Sequence, residues 1–248
     1  MKTKLSVNLN KVATLRNTRT IGIPSVVRAA ELVLDAGAHG ITLHPRPDER
    51  HIRPGDVYDI ARLLERYPGI ELNIEGNPFH GLDRYAAELE PDQVTLVPDS
   101  PDAFTSDHGW DVPANAARLR EVVAGFKTHG CRVSLFMDAD AAAMAGAAEV
   151  GADRVELYTE PYAAAFESGE GLDDWVDRFA GAARAATRAG LGINAGHDLN
   201  EANIGRFLAE VPGVAEVSIG HALIADALEY GLGETVRRYL RAMAAAGG

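Results

Sequence analysis

The 248-residue chain has little of several features that define common protein classes. It contains one cysteine, Cys131, which excludes a disulfide framework and any zinc site built from cysteines. No apolar run reaches the roughly 18 residues that a membrane-spanning helix needs, so we expect no membrane partner. A strand-like stretch begins directly after the N-terminus, where a secretory signal would place its apolar core. We therefore expect a cytoplasmic protein.

Lysine is also scarce, and basic charge is unevenly distributed. Only four of the 24 basic residues are lysines, and only Lys11 lies near the end of a predicted strand. This excludes the usual Schiff base between a late-strand lysine and a carbonyl substrate. The formal net charge of −12 argues against nucleic acid as a partner, because such partners require a basic face. Residues 1–53 nevertheless carry nine basic and four acidic residues, which gives +5 and leaves −17 for the remainder.

Eight short β-branched runs alternate with segments of helical periodicity. The predicted strands begin near Leu5, Ile41, Leu72, Val94, Val133, Val155, Leu191 and Val217. The predicted helices include Pro24–Ala38, Val57–Tyr67, Ala114–His129, Trp175–Ala189 and Glu234–Ala245. Glycine-containing turns end several of them, and Pro24 and Pro113 fit a first helical turn.

This alternation predicts an α/β fold, a single-domain (β/α)8 TIM barrel over residues 1–248 to which extra short helices can be added. A doubly wound open sheet is the alternative. It is disfavoured because no G-x-G-x-x-G motif follows the first predicted strand.

Chemistry in such barrels lies at the C-terminal ends of the strands, and these ends are rich in polar residues. Asp138 and Asp140 fit the role of helix N-caps. The alternation of its strand places Glu75 among inward-facing residues, where a carboxylate needs a partner or a function. Two carboxylates and three histidines on one rim favour metal-free acid–base chemistry. A mononuclear metal site formed by His44, Glu75 and His197 remains an alternative.

Phosphate is the ligand group that the sequence favours. Barrels often bind it on the loops after strands seven and eight, here residues 195–198 and 219–222. The glycines in these loops let the backbone approach a ligand closely. A second anion site could form from arginines, because guanidinium groups suit phosphate. The candidates are Arg16, Arg19, Arg46 and Arg50.

Several motifs in register along the chain carry a family resemblance. They are VNLNKVATLRNTR at Val7–Arg19, GITLHPRPDERHI at Gly40–Ile52, NIE at Asn73–Glu75, LVP at Leu96–Pro98, VSLFMDAD at Val133–Asp140, NAGHDLN at Asn194–Asn200 and IGHA at Ile219–Ala222. In these motifs the chain resembles the pyridoxine 5'-phosphate synthase family of vitamin B6 biosynthesis, whose members are (β/α)8 barrels.

The resemblance implies a transferase-class, ring-closing condensation without cofactor or metal. Its two phosphorylated substrates would be 3-amino-2-oxopropyl phosphate and 1-deoxy-D-xylulose 5-phosphate, and its products pyridoxine 5'-phosphate, inorganic phosphate and water. By resemblance, His44 and Glu75 are general bases, His197 is the general acid and Glu156 stabilises a transition state. The aminoketone phosphate would bind Asn8, Arg19, the backbone of Asp198, Gly220 and His221. The pentulose phosphate would bind Asn10, Lys11, Arg46, His51 and Thr105.

The chain departs from the family pattern at two places. Asn10-Lys11 stands where many members have Asp-His, and Asp198 stands where many have glycine. Lys11 can still bind phosphate as a point charge, so the first site is altered rather than lost. An Asp198 carboxylate beside a phosphate is unfavourable unless only its N–H faces the ligand.

Two further expectations concern assembly and motion. The resemblance implies a homo-octamer. The connection from Ser100 to Val112 is long for a βα loop and holds Thr105, so we expect it to act as a lid.

Two other functions stay open at this point. One is a phosphosugar isomerase or epimerase on the same barrel, with a single substrate and a metal. The other is a barrel that binds phosphorylated metabolites without catalysis, as a sensor or scaffold.

Overall fold

The computed structural model describes residues 2–100, 103 and 105–246. Eight parallel strands pair in sequence order, and the last pairs with the first to close a barrel. The strands are β1 (Lys4–Asn8), β2 (Gly40–Leu43), β3 (Glu71–Gly76), β4 (Gln93–Leu96), β5 (Arg132–Met137), β6 (Arg154–Tyr158), β7 (Gly192–Gly196) and β8 (Val214–Ile219). The predicted (β/α)8 TIM barrel is confirmed, with a strand at each of the eight predicted places.

The described residues form eleven helices around this barrel. They are α1 (Asn10–Asn17), α2 (Val26–Asp35), α3 (Pro54–Leu64), α4 (Leu82–Leu89), α5 (Val112–Thr128), α6 (Met144–Glu149), α7 (Glu160–Ser168), α8 (Leu172–Arg188), α9 (Ile204–Glu210), α10 (His221–Tyr230) and α11 (Leu232–Ala245). Two helices instead of one follow each of β1, β6 and β8, which accounts for the predicted extra helices. None of the helices described is long and apolar enough to cross a membrane.

Local sequence signals explain most helix boundaries, with one correction. Gly130 and Gly190 follow α5 and α8 with φ of 76° and 85°, a region that glycine adopts without strain. Pro113 is the second residue of α5, as predicted. Pro24 is not in a first helical turn, because α2 begins at Val26. The Ser25 side chain caps α2 by accepting from the third residue of the helix, which leaves Pro24 outside it.

The prediction that Asp138 and Asp140 cap a helix is wrong. Helix α6 begins at Met144, and its N-cap residue makes no side-chain hydrogen bond. Asp138 Oδ1 instead accepts from the N–H of Gly109 at 3.0 Å, and Asp140 Oδ1 accepts from the N–H of Ala142 at 2.9 Å. A turn separates β5 from α6, so these carboxylates find nearer amides than those of the helix.

The hydrophobic core lies between the barrel and the helices rather than inside the barrel. Ile41, Leu135 and Val217 on the strands are completely buried, as are Phe179 and Tyr239 on the helices. Because strand side chains alternate between two faces, one apolar set packs outward while the intervening residues point into the barrel.

Those intervening residues make the inside of the barrel polar. The Thr42 hydroxyl on β2 lies 2.7 Å from that of Ser6 on β1 and 3.1 Å from that of Ser218 on β8. Asn73 on β3 donates to Thr42 at 3.3 Å, and Thr95 on β4 donates to Asn73 at 3.0 Å. These bonds join five strands across the interior.

Gln93 on β4 is the most connected of the interior residues. It is completely buried, and its carbonyl oxygen accepts from Arg132 at 2.9 Å, from Asn194 at 3.2 Å and from Arg154 at 3.5 Å. Its amide nitrogen donates to Glu216 at 3.5 Å. One side chain thus satisfies donors from three other strands in a place that has little access to water.

We expect Gln93→Leu to destabilise the fold by about 2–4 kcal/mol, because it leaves several buried donors without an acceptor. Urea unfolding followed by circular dichroism measures this change. Arg62→Leu, on the exposed face of α3, is the control and is expected within about 0.5 kcal/mol of the parent. Equal stabilities of the two variants would contradict a structural role for the interior network.

Candidate active site

A cavity of about 570 Å³ opens at the C-terminal ends of the strands. Its volume lies within the range of small-molecule binding sites. Thirteen of the fourteen residues predicted from the sequence line it: His44, Glu75, Glu156, His197, Asn8, Asn10, Lys11, Arg46, His51, Thr105, Asp198, Gly220 and His221. The barrel therefore brings together residues that are dispersed over more than 200 positions of the chain.

Arg19 and Arg16 lie elsewhere. Arg19 is exposed on the turn after α1, outside the cavity lining, so its role in binding substrate stays a prediction. Arg16 is buried and forms an ion pair with Asp56 of α3, and it also donates to the carbonyl of His51 at 3.1 Å. Its guanidinium group holds α1 against α3 rather than facing the cavity.

His44 and Glu75 face each other across the floor of the cavity. His44 Nδ1 lies 3.9 Å from Glu75 Oε2, and Asn8 Nδ2 lies 3.4 Å from the same oxygen. The N–H of His44 donates to Asn10 Oδ1 at 3.0 Å, and the N–H of Asn10 donates to Asn8 Oδ1 at 2.9 Å. Asn10 therefore fixes the backbone of His44 from the first turn of α1.

Burial shifts the pKa values of this pair in opposite directions. Burial, together with the nearby Asp99 and Glu216 carboxylates, raises the pKa of Glu75 to about 8. It holds the pKa of His44 well below the ordinary value, with a further contribution from Arg46. At neutral pH the imidazole is uncharged and can accept a proton, while the carboxyl group retains one.

Glu156 is a second buried carboxyl group on the cavity wall. It is 2% exposed, and its Oε2 atom has no hydrogen-bond partner among the described residues. Burial and the neighbouring Glu75 and Glu216 raise its pKa well above the ordinary value. A Cβ atom at Gly196 on the next strand would collide with Glu156 Oε1, so glycine at this position makes space for the carboxyl group.

His197 lies at the rim, just after β7. Its ring centroid is 5.4 Å from that of Tyr158 and 5.6 Å from that of Phe136. Burial lowers the pKa of His197, while the carboxylates of Asp198 and Asp99 oppose this effect. Asp198 Oδ2 lies 3.9 Å from His197 Nδ1.

One end of the cavity is suited to an anion through the N-terminus of α10. Gly220 is the N-cap residue of this helix, and Gly220, His221 and Ala222 all line the cavity. Since Gly220 has no side chain to occupy the free N–H groups of the first turn, these remain available to a ligand. A Cβ atom at Gly220 would come within 3.2 Å of the Asn8 side chain, so a larger residue here would require Asn8 to shift.

The other end carries basic side chains that also contact the β4–α5 loop. Arg46 is buried, pairs with Asp99 and donates to the carbonyl of Ala103 at 2.8 Å, while Arg50 donates to the same carbonyl at 3.0 Å. The Ser106 hydroxyl donates to Asp99 at 2.7 Å. Residues 101, 102 and 104 of the expected lid lie outside the described residues, so closure of this loop stays a prediction.

The sequence analysis missed four cavity residues, Thr14, Ser106, Tyr158 and Ser218. Tyr158 follows Glu156 by two positions on β6, so strand alternation could have found it. No comparable signal marks Ser106, because its bond to Asp99 depends on the path of an irregular loop.

Asp198 has a backbone conformation that favours glycine, with a φ of 51°. We expect Asp198→Gly to raise the free energy of unfolding by about 0.5–1 kcal/mol, and Asp198→Ala to lower it, because only glycine avoids the Cβ clash of the left-handed region. Urea unfolding of the two variants measures the difference. A glycine variant no more stable than the alanine variant would show that this φ carries no strain.

Several relatives match almost the whole chain. A protein of Albidiferax ferrireducens named pyridoxine 5'-phosphate synthase is 62% identical, and the alignment covers 98% of each chain. A protein of the same name from Xanthomonas oryzae pv. oryzae is 55% identical over 97% of this chain and 96% of its own.

Solved structures resemble the chain in fold alone. A crystal structure of tryptophan synthase from M. tuberculosis has a TM-score of 0.66 at 13% identity, over 98% of this chain and 92% of that one. The Amycolatopsis orientalis BexX/CysO complex has a TM-score of 0.64 at 16% identity, over 99% and 89%.

The family model described as pyridoxal phosphate biosynthesis protein PdxJ matches residues 5–245. With the relatives' high identity over nearly the full length, this match identifies the chain as a member of that family.

Proposed function

We propose that this chain is a pyridoxine 5'-phosphate synthase that condenses 3-amino-2-oxopropyl phosphate with 1-deoxy-D-xylulose 5-phosphate. The observation that carries the proposal is the single cavity in which His44, Glu75, Glu156 and His197 lie between two anion-binding ends. The relatives from Albidiferax ferrireducens and Xanthomonas oryzae pv. oryzae, which bear this enzyme name, also support it.

The reaction needs proton transfers rather than an enzyme nucleophile. The amine of the first substrate attacks the carbonyl carbon of the second, and water leaves as the C–N bond forms. Ring closure then releases inorganic phosphate and water. Because the amine belongs to the substrate, no lysine of the enzyme is required for covalent catalysis.

The four titratable groups have complementary roles in this proposal. His44 and Glu75 accept protons from the substrates, and His197 donates a proton to a leaving oxygen, by metal-free acid–base catalysis. A protonated Glu156 donates a hydrogen bond to an oxygen that gains negative charge. The unpartnered Oε2 atom of Glu156 supports this last role, since a buried polar atom costs free energy until something binds to it.

Each end of the cavity binds the phosphate group of one substrate. The α10 N-terminus, with Asn8, Gly220, His221 and the backbone of Asp198, takes the aminoketone phosphate. Lys11, Arg46, His51, Asn10 and Thr105 take the pentulose phosphate. The φ of 51° at Asp198 supports a backbone rather than a side-chain contact there, as does the unfavourable meeting of a carboxylate with a phosphate.

The direct test is to incubate the purified protein with both substrates and follow pyridoxine 5'-phosphate by chromatography with mass detection. We expect product and inorganic phosphate in equal amounts, and only when both substrates are present. Turnover of one sugar phosphate alone would indicate an isomerase instead. Saturable binding without product would indicate a non-catalytic barrel.

We expect Glu75→Gln to lower kcat/KM by about 10²–10⁴-fold, because it removes a general base. The pKa of about 8 also predicts the pH dependence. Because Glu75 acts in its deprotonated form and His197 in its protonated form, kcat/KM of the parent falls at both ends of the pH range, and the alkaline limb lies near pH 8 because the pKa of Glu75 is the higher of the two. Glu229→Gln, the same chemical change on the exposed surface of α10, is the control and leaves the profile unchanged.

We further propose a homo-oligomer, for which the resemblance suggests eight copies. Large apolar side chains are exposed around α1 and the turn after it, with Leu15 at 52%, Ile21 at 59% and Ile23 at 62%. Exposed apolar patches of this kind often mark protein interfaces.

Light scattering after size exclusion tests the oligomer, since eight copies have eight times the 26.4 kDa mass of one chain. We expect the double variant Ile21→Glu/Ile23→Glu to give smaller species, because charges oppose burial of this surface. A parent protein with the mass of one chain would overturn the proposal.

A further inference from the structure

The backbone at His197 has a conformation that needs support from outside its own loop. His197 has a φ of 72° and Asp198 a φ of 51°, so two successive residues with side chains lie in the left-handed region. Such residues persist only where surrounding structure holds them, and they are frequent at functional sites. The support for His197 therefore has to come from a neighbouring element.

Thr159, at the end of the neighbouring strand β6, supplies that support. It is completely buried, and its hydroxyl lies 2.7 Å from the carbonyl oxygen of Gly196 and within bonding distance of the carbonyl oxygen of His197. Its backbone N–H also donates to the carbonyl of Gly196 at 3.1 Å. One residue directly after β6 thus binds the backbone carbonyl groups immediately before and after the His197 side chain.

The hydroxyl of Thr159 is used differently from what its position predicts. Thr159 is the N-cap residue of α7, where a threonine hydroxyl ordinarily accepts from an N–H of the first helical turn. No such side-chain bond is present in α7. The hydroxyl donates across to β7 instead, so its contribution is to the loop that carries His197.

The imidazole ring is held from the same side. Tyr158, the residue before Thr159, meets the His197 ring edge to face at an interplanar angle of 82°. Phe136 of β5 packs on both rings, with centroids 5.4 Å from Tyr158 and 5.6 Å from His197. The ring and the backbone of His197 are therefore held by two consecutive residues, Tyr158 at the end of β6 and Thr159 directly after it.

We propose that Thr159 is a positioning residue for His197, holding the imidazole where it can donate its proton to the substrate. Thr159 is not among the described residues that line the cavity, so it acts only through His197. The inference rests on the general-acid role given to His197 under the proposed function. It adds a residue that neither motif nor cavity lining identifies.

Charged and titratable groups from several elements also face His197 and affect its titration. They are Asp198 on its own loop, Asp99 after β4, Lys11 on α1, and Arg46 and His44 after β2. Thr159 carries no charge. Substitution of Thr159 leaves these charges in place. A change in the pKa of His197 in such a variant therefore reports the position and solvent access of the imidazole ring.

A matched pair of variants tests the proposal. Thr159→Val keeps the shape of the side chain and removes the hydroxyl, whereas Thr159→Ser keeps the hydroxyl and removes the methyl group. We expect Thr159→Val to lower kcat by about 10- to 100-fold with little change in KM, because misplacement of a catalytic group by about 1 Å has effects of this size. Thr159→Ser is expected to stay close to the parent.

NMR titration of the His197 imidazole gives a readout that does not depend on turnover. A His197→Asn variant assigns the resonance. Burial lowers the pKa of His197, so release of the loop into solvent is expected to raise it toward the ordinary value of about 6.5. We expect this rise in Thr159→Val and not in Thr159→Ser.

A double variant separates positioning from a general structural effect. If Thr159 acts through His197, then Thr159→Val causes no further loss of kcat in the His197→Asn background. A full additional loss would mean that Thr159 supports the fold independently, which would overturn the proposal. If Thr159→Val does not fold, Thr159→Cys replaces it, because the thiol is of similar size and a much weaker donor.

The outcomes distinguish this inference from the function on which it rests. A parent protein that makes no pyridoxine 5'-phosphate overturns the proposed function, whatever the variants do. A fully active His197→Asn variant overturns the acid role, and with it the positioning role of Thr159. If the parent is active and His197→Asn is impaired, equal kcat values of Thr159→Val and Thr159→Ser overturn the role of Thr159 alone.

Discussion

Closure of eight parallel strands into a barrel is the constraint on which the rest of this structure depends. Closure fixes which side chains point inward, and in this chain most of those side chains are polar. They have little access to water, so they have to satisfy one another: Gln93 on β4 reaches Glu216 on the opposite strand β8, and Thr42 on β2 reaches Ser218 on β8. The apolar core is consequently displaced to the layer between barrel and helices.

The polar interior also sets the electrostatics of the cavity above it. Glu75, Glu156 and Glu216 are three buried carboxyl groups in one barrel. Besides burial, Glu75 and Glu216 raise the pKa of Glu156, and Glu216 raises the pKa of Glu75. Arg46 lowers the pKa of Glu75, but Arg46 is paired with Asp99, and the Asp99 carboxylate acts in the opposite direction. The same burial that keeps carboxyl groups protonated keeps His44 neutral. Proton donors and acceptors therefore coexist in the cavity at neutral pH.

The departures from the family pattern occur where backbone geometry matters more than side-chain chemistry. Asn10 keeps a structural function, because its side chain accepts from the backbone of His44. Asp198 occupies a left-handed position beside His197 and places a carboxylate near the imidazole. At this position the conformation requires a residue that tolerates positive φ, which aspartate does better than most.

The sequence by itself determined the barrel, its eight strands and most cavity residues, because strand alternation and the C-terminal ends of parallel strands follow from local periodicity. It failed for Asp138, Asp140 and Pro24, where the exact start of a helix depends on the turn before it. Only the tertiary structure decided the pKa values, the separation of Arg16 from Arg46, and the contact of Thr159 with His197. These depend on which atoms meet across strands that are distant in the chain, and no local pattern encodes such distances.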